Sequence, residues 1–274
     1  MQPKGERVCM NTGDQAERAD MPALYDMHCH LNFCRDVTGA ARELAKQQVA
    51  GGLCCMVTPE VHDEVAAELA GDQWLVGVGL HPWWIERAGE VGVATTCDLL
   101  AQGPCLVGEI GLDFGTAHLP SKDAQLVALR RIATTIQPGS ILSLHGVKSV
   151  DAILNILGDA GVLASCICIM HWFSASSPEL TRAVRAGCLF SISKLMLASK
   201  RGREYARQLP AERLLLETDF PPQDKATDAI VVAQSMSDAL HQALLQLAHI
   251  RKVEPTLLAE HISKRSQQLI ATLR

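Results

Sequence analysis

The feature that most constrains the fold is an alternation of eight short apolar runs with seven longer, mostly amphipathic segments. The runs are apolar almost throughout, as expected for parallel strands that are buried on both faces. They comprise residues 24–30, 53–57, 74–80, 105–110, 140–144, 166–170, 188–193 and 214–216. Eight such strands separated by helices predict an α/β protein, a (β/α)8 or TIM barrel.

An open, doubly wound sheet is the main alternative, because it is built from the same alternation. That fold commonly carries Gly-x-Gly-x-x-Gly after its first strand, and this sequence has no such motif there. The 274 residues suit a single barrel domain, for which about 250 residues are typical. Residues 1–22 carry charges of both signs and predict a flexible extension, which leaves residues 23–274 as the domain.

Several helix ends are marked in the sequence. Thr38 is predicted to cap a helix that runs to residue 49, and Ser121 to cap another that runs to residue 137. Pro178 suits the first turn of a helix that starts at Ser177. A helix is predicted over 197–209, and the remainder from about residue 228 is expected to be helical with a break near Pro255.

The composition argues against several classes of protein. A net charge of −5 disfavours a general polyanion binder, although it leaves room for a locally basic cleft. No apolar run approaches the ~20 residues of a membrane span, and no signal peptide is visible, so a cytoplasmic protein is expected. The ten cysteines include no Cys-x-x-Cys pair. Buried reduced thiols are therefore favoured over a zinc–thiolate site or a disulfide framework.

Polar side chains cluster where the predicted strands end. His28 and His30 are two residues apart on an extended chain, so both should project from the same side. The C-terminal ends of all barrel strands meet on one face, where catalytic groups sit. The residues that should meet there are His28, His30, His81, Glu109, Asp113, His145, His171 and Asp219.

This set suits two divalent metal ions. The ligands from strands one and eight could hold one ion, and the histidines of strands five and six could hold a second, with Glu109 as a bridge. Paired ions about 3.5–4 Å apart suit hydrolysis, because one activates water and both stabilise developing charge. Asp219 could also take the proton from the attacking water. The alternative is that some of these groups are structural.

The chain resembles the TatD family of metal-dependent deoxyribonucleases, within the wider amidohydrolase-like barrels. The motifs that carry the resemblance are Asp-Met-His-Cys-His-Leu at 26–31, Gly-Leu-His-Pro at 79–82, Val-Gly-Glu-Ile-Gly-Leu-Asp at 107–113, the strand that ends at His145, Met-His-Trp-Phe-Ser at 170–174 and Leu-Leu-Leu-Glu-Thr-Asp at 214–219. The resemblance implies a (β/α)8 barrel that cleaves DNA, often as a 3′→5′ exonuclease. The metal ligands that it implies are His28, His30, Glu109, His145, His171 and Asp219.

Other residues are candidates for substrate contacts. Trp83 and Trp84 follow strand three and could stack on a nucleobase, or they could plug the barrel rim. Lys194 begins a cationic stretch that reaches residue 207, which could bind phosphate or form an ordinary solvated helix face. His81 and Lys148 are further candidates, since both follow strands on the same face.

The leading hypothesis is a deoxyribonuclease that uses Mg²⁺ or Mn²⁺, with Zn²⁺ as an option, and acts on single-stranded or 3′ ends of DNA. Asp219 and Glu109 would be its catalytic carboxylates. The alternative is an amidohydrolase or esterase for a small substrate or an aminoacyl ester on the same scaffold, since the barrel hosts many chemistries. A non-catalytic subunit that kept its metal site is the third class. A monomer without membrane contact is expected.

Overall fold

Each of the eight apolar runs contributes to a strand. The structure, a computed structural model, describes residues 21–223 and 228–274. Its strands are β1 (Leu24–Cys29), β2 (Val49–Cys54), β3 (Trp74–Val76), β4 (Leu106–Asp113), β5 (Ile141–Val147), β6 (Ile167–His171), β7 (Leu189–Ile192) and β8 (Leu214–Leu216). The second strand starts earlier than predicted, because the glycine-containing segment before Leu53 is extended as well.

Helices connect the strands. Those in the described residues are α1 (Val37–Lys46), α2 (His62–Glu68), α3 (Ile85–Leu100), α4 (Lys122–Ala133), α5 (Val150–Asp159), α6 (Val162–Ser165), α7 (Ser177–Arg185), α8 (Lys194–Ala198), α9 (Lys200–Gln208), α10 (Ala229–Arg251) and α11 (Pro255–Ala271). Four short 3₁₀ turns lie between them. None of the helices described here has an apolar stretch long enough to cross a membrane.

All strand pairs are parallel and follow the chain order. One ladder joins β1 to β3 and a second joins β4 to β8. Between the ladders, Val78 pairs with Val107. At the other seam the amide of Asp219 donates to the carbonyl of His28 at 2.9 Å, and the amide of His30 donates to that of Phe220 at 2.8 Å. Backbone bonds beyond the strand ends therefore continue the ring at both seams, as a (β/α)8 barrel requires.

The two faces of the strands feed two separate apolar clusters. The larger cluster lies between the strands and the surrounding helices and includes Met21, which precedes β1. The inner cluster comprises Met27, Leu53, Cys55, Leu106, Ile141, Ile169, Leu189, Leu215, Leu269 and Ile270. Its last two members belong to α11, so the final helix packs against the filled barrel interior. Except for residues 21 and 22, the predicted N-terminal extension lies outside the described residues.

The cap predicted at Thr38 is wrong. Helix α1 begins at Val37, and its N-cap is Asp36, two residues before the predicted cap. The Asp36 carboxylate accepts from the amide of Gly39 at 2.7 Å. The Thr38 hydroxyl instead donates to the carbonyl of Glu68 at 3.1 Å, at the end of α2. Helix α1 also stops at Lys46, since the residues that follow enter β2.

The other helix ends fit the sequence more closely. Ser121 occupies the N-cap position of α4, but its side chain makes no capping hydrogen bond there and accepts from the Gln125 amide instead. The prolines at the starts of α7 and α11 lie where predicted. The prediction of one continuous helix over 197–209 is wrong, because extended backbone at Ser199 separates α8 from α9.

The cysteines of the described chain are free, and most are buried. This agrees with the expectation of buried free thiols for most of these nine residues, while Cys9 lies outside the described residues.

Replacing Asp36 with Ala should destabilise the protein by about 1 kcal/mol, because the first turn of α1 loses its side-chain acceptor. Asp36→Asn is the matched control and should cost little, since Asn caps nearly as well as Asp. Urea unfolding at equilibrium measures both. Equal losses in the two variants would contradict the assigned cap.

Candidate metal centre

A register irregularity in β1 brings its two histidines into the barrel mouth. The pairing of β1 with β2 shifts between Asp26 and Cys29. Met27 consequently lies in the inner cluster, whereas Cys29 packs in the outer one. His28 and His30 then both project towards the axis, which is the shared orientation that their spacing predicts.

The first ligand cluster forms around these two rings. His28 Nε2 lies 3.4 Å from Glu109 Oε2 and 3.5 Å from Asp219 Oδ1. His30 Nε2 lies 3.4 and 3.3 Å from the same two oxygens. Two imidazole nitrogens and two carboxylate oxygens therefore surround one point.

The second ligand cluster uses the other oxygen of Glu109. His145 Nδ1 and His171 Nε2 each lie 2.8 Å from Glu109 Oε1. The two ring nitrogens are 3.4 Å apart. A single buried carboxylate therefore faces a different cluster with each of its oxygens.

His81 also reaches the second cluster. Its Nε2 lies 3.3 Å from Glu109 Oε1 and 3.2 Å from His145 Nδ1. Its Nδ1 accepts the amide hydrogen of Trp83 at 3.1 Å, and burial lowers the pKa of His81 to about 4. A neutral ring that accepts at Nδ1 carries its proton on Nε2. His81 therefore presents a donor to the site, which suits the predicted substrate contact better than metal ligation.

Hydrogen bonds behind the ligands fix their tautomers. His30 Nδ1 donates to the carbonyl oxygen of Cys55 at 2.8 Å, which directs Nε2 towards the cluster. His145 donates from Nε2 to Asp113 Oδ2 at 3.2 Å, which leaves Nδ1 free to ligate. Buried partners of this kind orient metal-binding histidines and raise their basicity.

Loop contacts hold Asp219 in place. Asp26 is fully buried, and its carboxylate accepts from the amide and the hydroxyl of Thr218 at 3.0 and 2.5 Å. Asp219 itself has a φ of 58°, a left-handed conformation that aspartate tolerates better than most residues. These bonds fix the β8 loop to β1 and aim the Asp219 carboxylate at both histidines.

The electrostatics of the centre balance one buried carboxylate against the rings that surround it. Burial alone would raise the pKa of Glu109, but the adjacent rings, above all His81 and His171, hold it well below its usual range. Burial opposes a charged ring at His30 and at His145, yet hydrogen bonds to carboxylates raise their pKa values to about 10 and about 9. The site therefore gathers positive charge around one buried carboxylate.

One further observation supports the fit of these residues to divalent ions. His28 Nε2 is fully buried and makes no hydrogen bond within the described part of the chain, although it points into the first cluster. Orphaned buried nitrogens are rare, and imidazole with carboxylate oxygen is a ligand set for Zn²⁺, Mn²⁺ and related ions.

A cavity of about 560 Å³ opens above the clusters. Its described lining contains neither lysine nor arginine; most of it is apolar, and it includes Phe33, Val57, Trp83, Trp84, Val147, Trp172, Pro221 and Pro222. Both tryptophans of the β3 loop thus line the cavity above the clusters. Lys148 and Lys194 have exposed side chains and lie outside this lining.

Sequence reasoning gave no role to three buried or half-buried groups. Asp113 was noted only as a residue at a strand end, yet it holds His145 and accepts from Trp83 Nε1 at 2.7 Å. Asp26 and Glu217 are fully buried beside ligands. One clue to Asp26 and Glu217 was present in the sequence, because each lies two residues from a candidate metal ligand within the same motif.

Imidazoles around a shared carboxylate, at the C-terminal ends of barrel strands, can release their protons and hold paired ions that activate water. Fold and site together define a class, the metal-dependent hydrolases built on (β/α)8 barrels. Residues 25–271 match the family described as TatD related DNase, and the chain belongs to that family.

Individual relatives agree with this placement. The chain is 25% identical over 223 residues to human deoxyribonuclease TATDN3, covering 74% of this chain and 80% of the relative. It is 30% identical over 213 residues to the 3'-5' ssDNA/RNA exonuclease TatD of Erwinia billingiae, covering 72% and 79%. The crystal structure of YJJV, a TatD homologue from Escherichia coli, superimposes with a TM-score of 0.70 at 22% identity, covering 90% and 97%.

Replacing Glu109 with Ala should remove more bound metal than replacing Asp219 with Asn. Glu109 faces both clusters and Asp219 only the first. Loss of a hydrogen-bond partner behind a ligand typically weakens metal binding about 10–100-fold, so loss of a ligand should weaken it at least as much. Elemental analysis after Mn²⁺ loading and desalting measures the content, with Asp63→Asn on the exposed surface as control. Wild-type metal content in a Glu109→Ala, Asp219→Ala double variant would place the site elsewhere.

Metal should stabilise the protein more strongly as pH rises. The raised pKa values of His30 and His145 contribute stability to the metal-free protein that is fully present below about pH 6.5 and lost as pH rises through about 9 to 10. Metal binding also releases protons, so it tightens over the same range. Calorimetry should show the Tm difference between Mn²⁺-loaded and EDTA-treated protein widening from about pH 6.5 to 9. A constant or narrowing difference would contradict this.

Proposed function

We propose that this protein is a deoxyribonuclease that uses two divalent ions, Mg²⁺ or Mn²⁺, and removes nucleotides from single-stranded 3′ ends of DNA. The observation that carries the proposal is the placement of Glu109, whose two oxygens face two histidine clusters at the floor of one cavity. The relative from Erwinia billingiae carries the name of a 3'-5' ssDNA/RNA exonuclease, which agrees with the proposed polarity.

The first ion would be held by His28, His30, Asp219 and Glu109, and the second ion by Glu109, His145 and His171. When bound, such ions neutralise charge on a phosphodiester and make a water molecule acidic enough to attack at neutral pH. Glu109 orients both clusters and is too buried, at 2% exposure, to exchange protons freely with solvent.

Asp219 is the carboxylate suited to act as general base. Its side chain is 21% exposed and lines the cavity, so a water molecule can reach it. The pKa of Asp219 lies far below its usual range, because the adjacent rings of His28 and His30 outweigh the effect of burial. The ionised form is therefore available at neutral pH. Once it has taken the proton, Asp219 can pass it to the leaving oxygen or to solvent.

His81 is suited to hold the phosphate. It presents an Nε2–H donor beside the second cluster, and its low pKa keeps the ring neutral. A neutral donor can hydrogen-bond a non-bridging phosphate oxygen without competing with the ions for the site. The residue thus orients the phosphate relative to the attacking water.

The depth of the centre favours ends over internal bonds. The ligand histidines are at most 8% exposed and lie beneath a rim that carries Trp83 and Trp172. A duplex would have to distort to bring an internal phosphate to this floor, whereas a splayed end can enter. The described lining of the cavity is free of lysine and arginine, so the ions would provide most of the attraction for phosphate there.

The test is cleavage of DNA labelled at its 5′ end, single-stranded or duplex, by Mn²⁺-loaded protein. The wild type should shorten single strands stepwise from the 3′ end and leave covalently closed circular duplex intact. Asp219→Asn should lower kcat by at least about 100-fold, because it removes both a ligand and the base.

Rapid nicking of the closed circle would contradict the preference for ends. Hydrolysis of amides, lactones or aminoacyl esters without any DNA cleavage would transfer the protein to the alternative class.

A further inference from the structure

Trp172 differs from the other cavity tryptophans in its surroundings. Its indole is 37% exposed and lines the cavity directly after the ligand His171. Trp83 is more exposed, at 50%, but its ring stacks on His118 with ring centroids 4.7 Å apart. Within the described residues, no aromatic ring packs against Trp172. A large exposed apolar surface inside a binding cavity is typical of a ligand contact.

The backbone of Trp172 is held in an unusual conformation. Its φ is 37°, in the left-handed region that bulky residues rarely occupy. The amide donates to Glu217 Oε1 at 2.9 Å, and the other oxygen of Glu217 accepts from the Ser191 hydroxyl. Strained residues that buried partners keep in place cluster at functional sites.

Glu217 serves Trp172 more directly than it serves the metal centre. It is fully buried, and its shortest contacts are the Trp172 amide and Ser191. His171 Nδ1 is 3.9 Å away, too far for a hydrogen bond. The buried carboxyl of Glu217 therefore fixes the turn that carries the Trp172 indole. It makes no hydrogen bond to the neighbouring candidate ligand His171.

We propose that the Trp172 indole is the surface on which the base beside the scissile phosphate stacks, and that Glu217 is the positioning residue that holds it there. The inference rests on the proposed nuclease function and names the substrate feature that the site recognises. Because the described cavity lining has neither lysine nor arginine, recognition there depends on the base as well as on the ions. Stacking accepts every base, so the enzyme tolerates any sequence.

Kinetics on two single-stranded oligonucleotides test the proposal. They are identical except that the 3′-terminal nucleotide of one is an abasic analogue. With the normal end, Trp172→Ala should raise KM about 5- to 150-fold and change kcat little, as expected for lost stacking. Trp172→Phe should retain most of the affinity. Leu195→Ala removes an exposed apolar side chain outside the cavity lining and should behave as wild type.

The abasic end supplies the decisive comparison. Wild type should bind it about as weakly as Trp172→Ala binds either oligonucleotide, and the substitution should have no further effect there. Fluorescence anisotropy of the labelled oligonucleotides with metal-loaded protein gives the same comparison without turnover.

Glu217 variants test the positioning role. Glu217→Gln keeps an acceptor for the Trp172 amide and should remain near wild type in KM. Glu217→Ala should raise KM as Trp172→Ala does, with metal content unchanged by elemental analysis. Since Trp172 is partly exposed, its variants remain informative even if Glu217→Ala fails to fold.

The outcomes separate the two proposals. Equal KM values of the wild type for normal and abasic ends, or an equal effect of Trp172→Ala on both, would overturn the stacking role alone. Failure of the wild type to cleave either oligonucleotide under any divalent metal would overturn the nuclease function and this inference with it.

Discussion

The structure depends on one buried carboxylate. Glu109 is 2% exposed, and a charge so deep in a protein is costly unless cations or donors surround it. Here histidines on or just after four other strands compensate the charge, because their ring nitrogens face the two oxygens of Glu109. The barrel supplies this arrangement because all its strands end on the same face. The geometry of the catalytic centre therefore follows from closure of the ring around a single glutamate.

A further set of acidic groups stands behind the ligands, and each couples a ligand region to a loop. Asp26 joins β1 to the turn that carries Asp219, and Asp113 joins His145 to Trp83. Glu217 joins β8 to the turn after β6. Rigid metal sites need such supporting bonds to hold their ligands in register. The same bonds set the positions of the aromatic residues at the rim, so substrate entry and metal geometry depend on shared residues.

Much of this arrangement could be predicted from the sequence. Continuous apolar runs revealed the strands, and polar residues at their ends revealed which side chains meet. The first residues of the strands were harder to predict. Strand β2 begins at Val49 because Gly51 and Gly52 let the backbone carbonyls of Gln73 and Asp26 approach closely. This is a property of strand pairing rather than of local sequence. The contact that holds Trp172 was likewise hidden, since it depends on a carboxyl 45 residues away.

A crystal structure of the Mn²⁺-loaded protein, with anomalous differences collected at the manganese edge, tests the central claim most directly. The account predicts two peaks, one on each side of the Glu109 carboxylate. The first should contact His28, His30 and Asp219, and the second should contact the histidines of β5 and β6. A single peak, or peaks that do not contact Glu109, would contradict it.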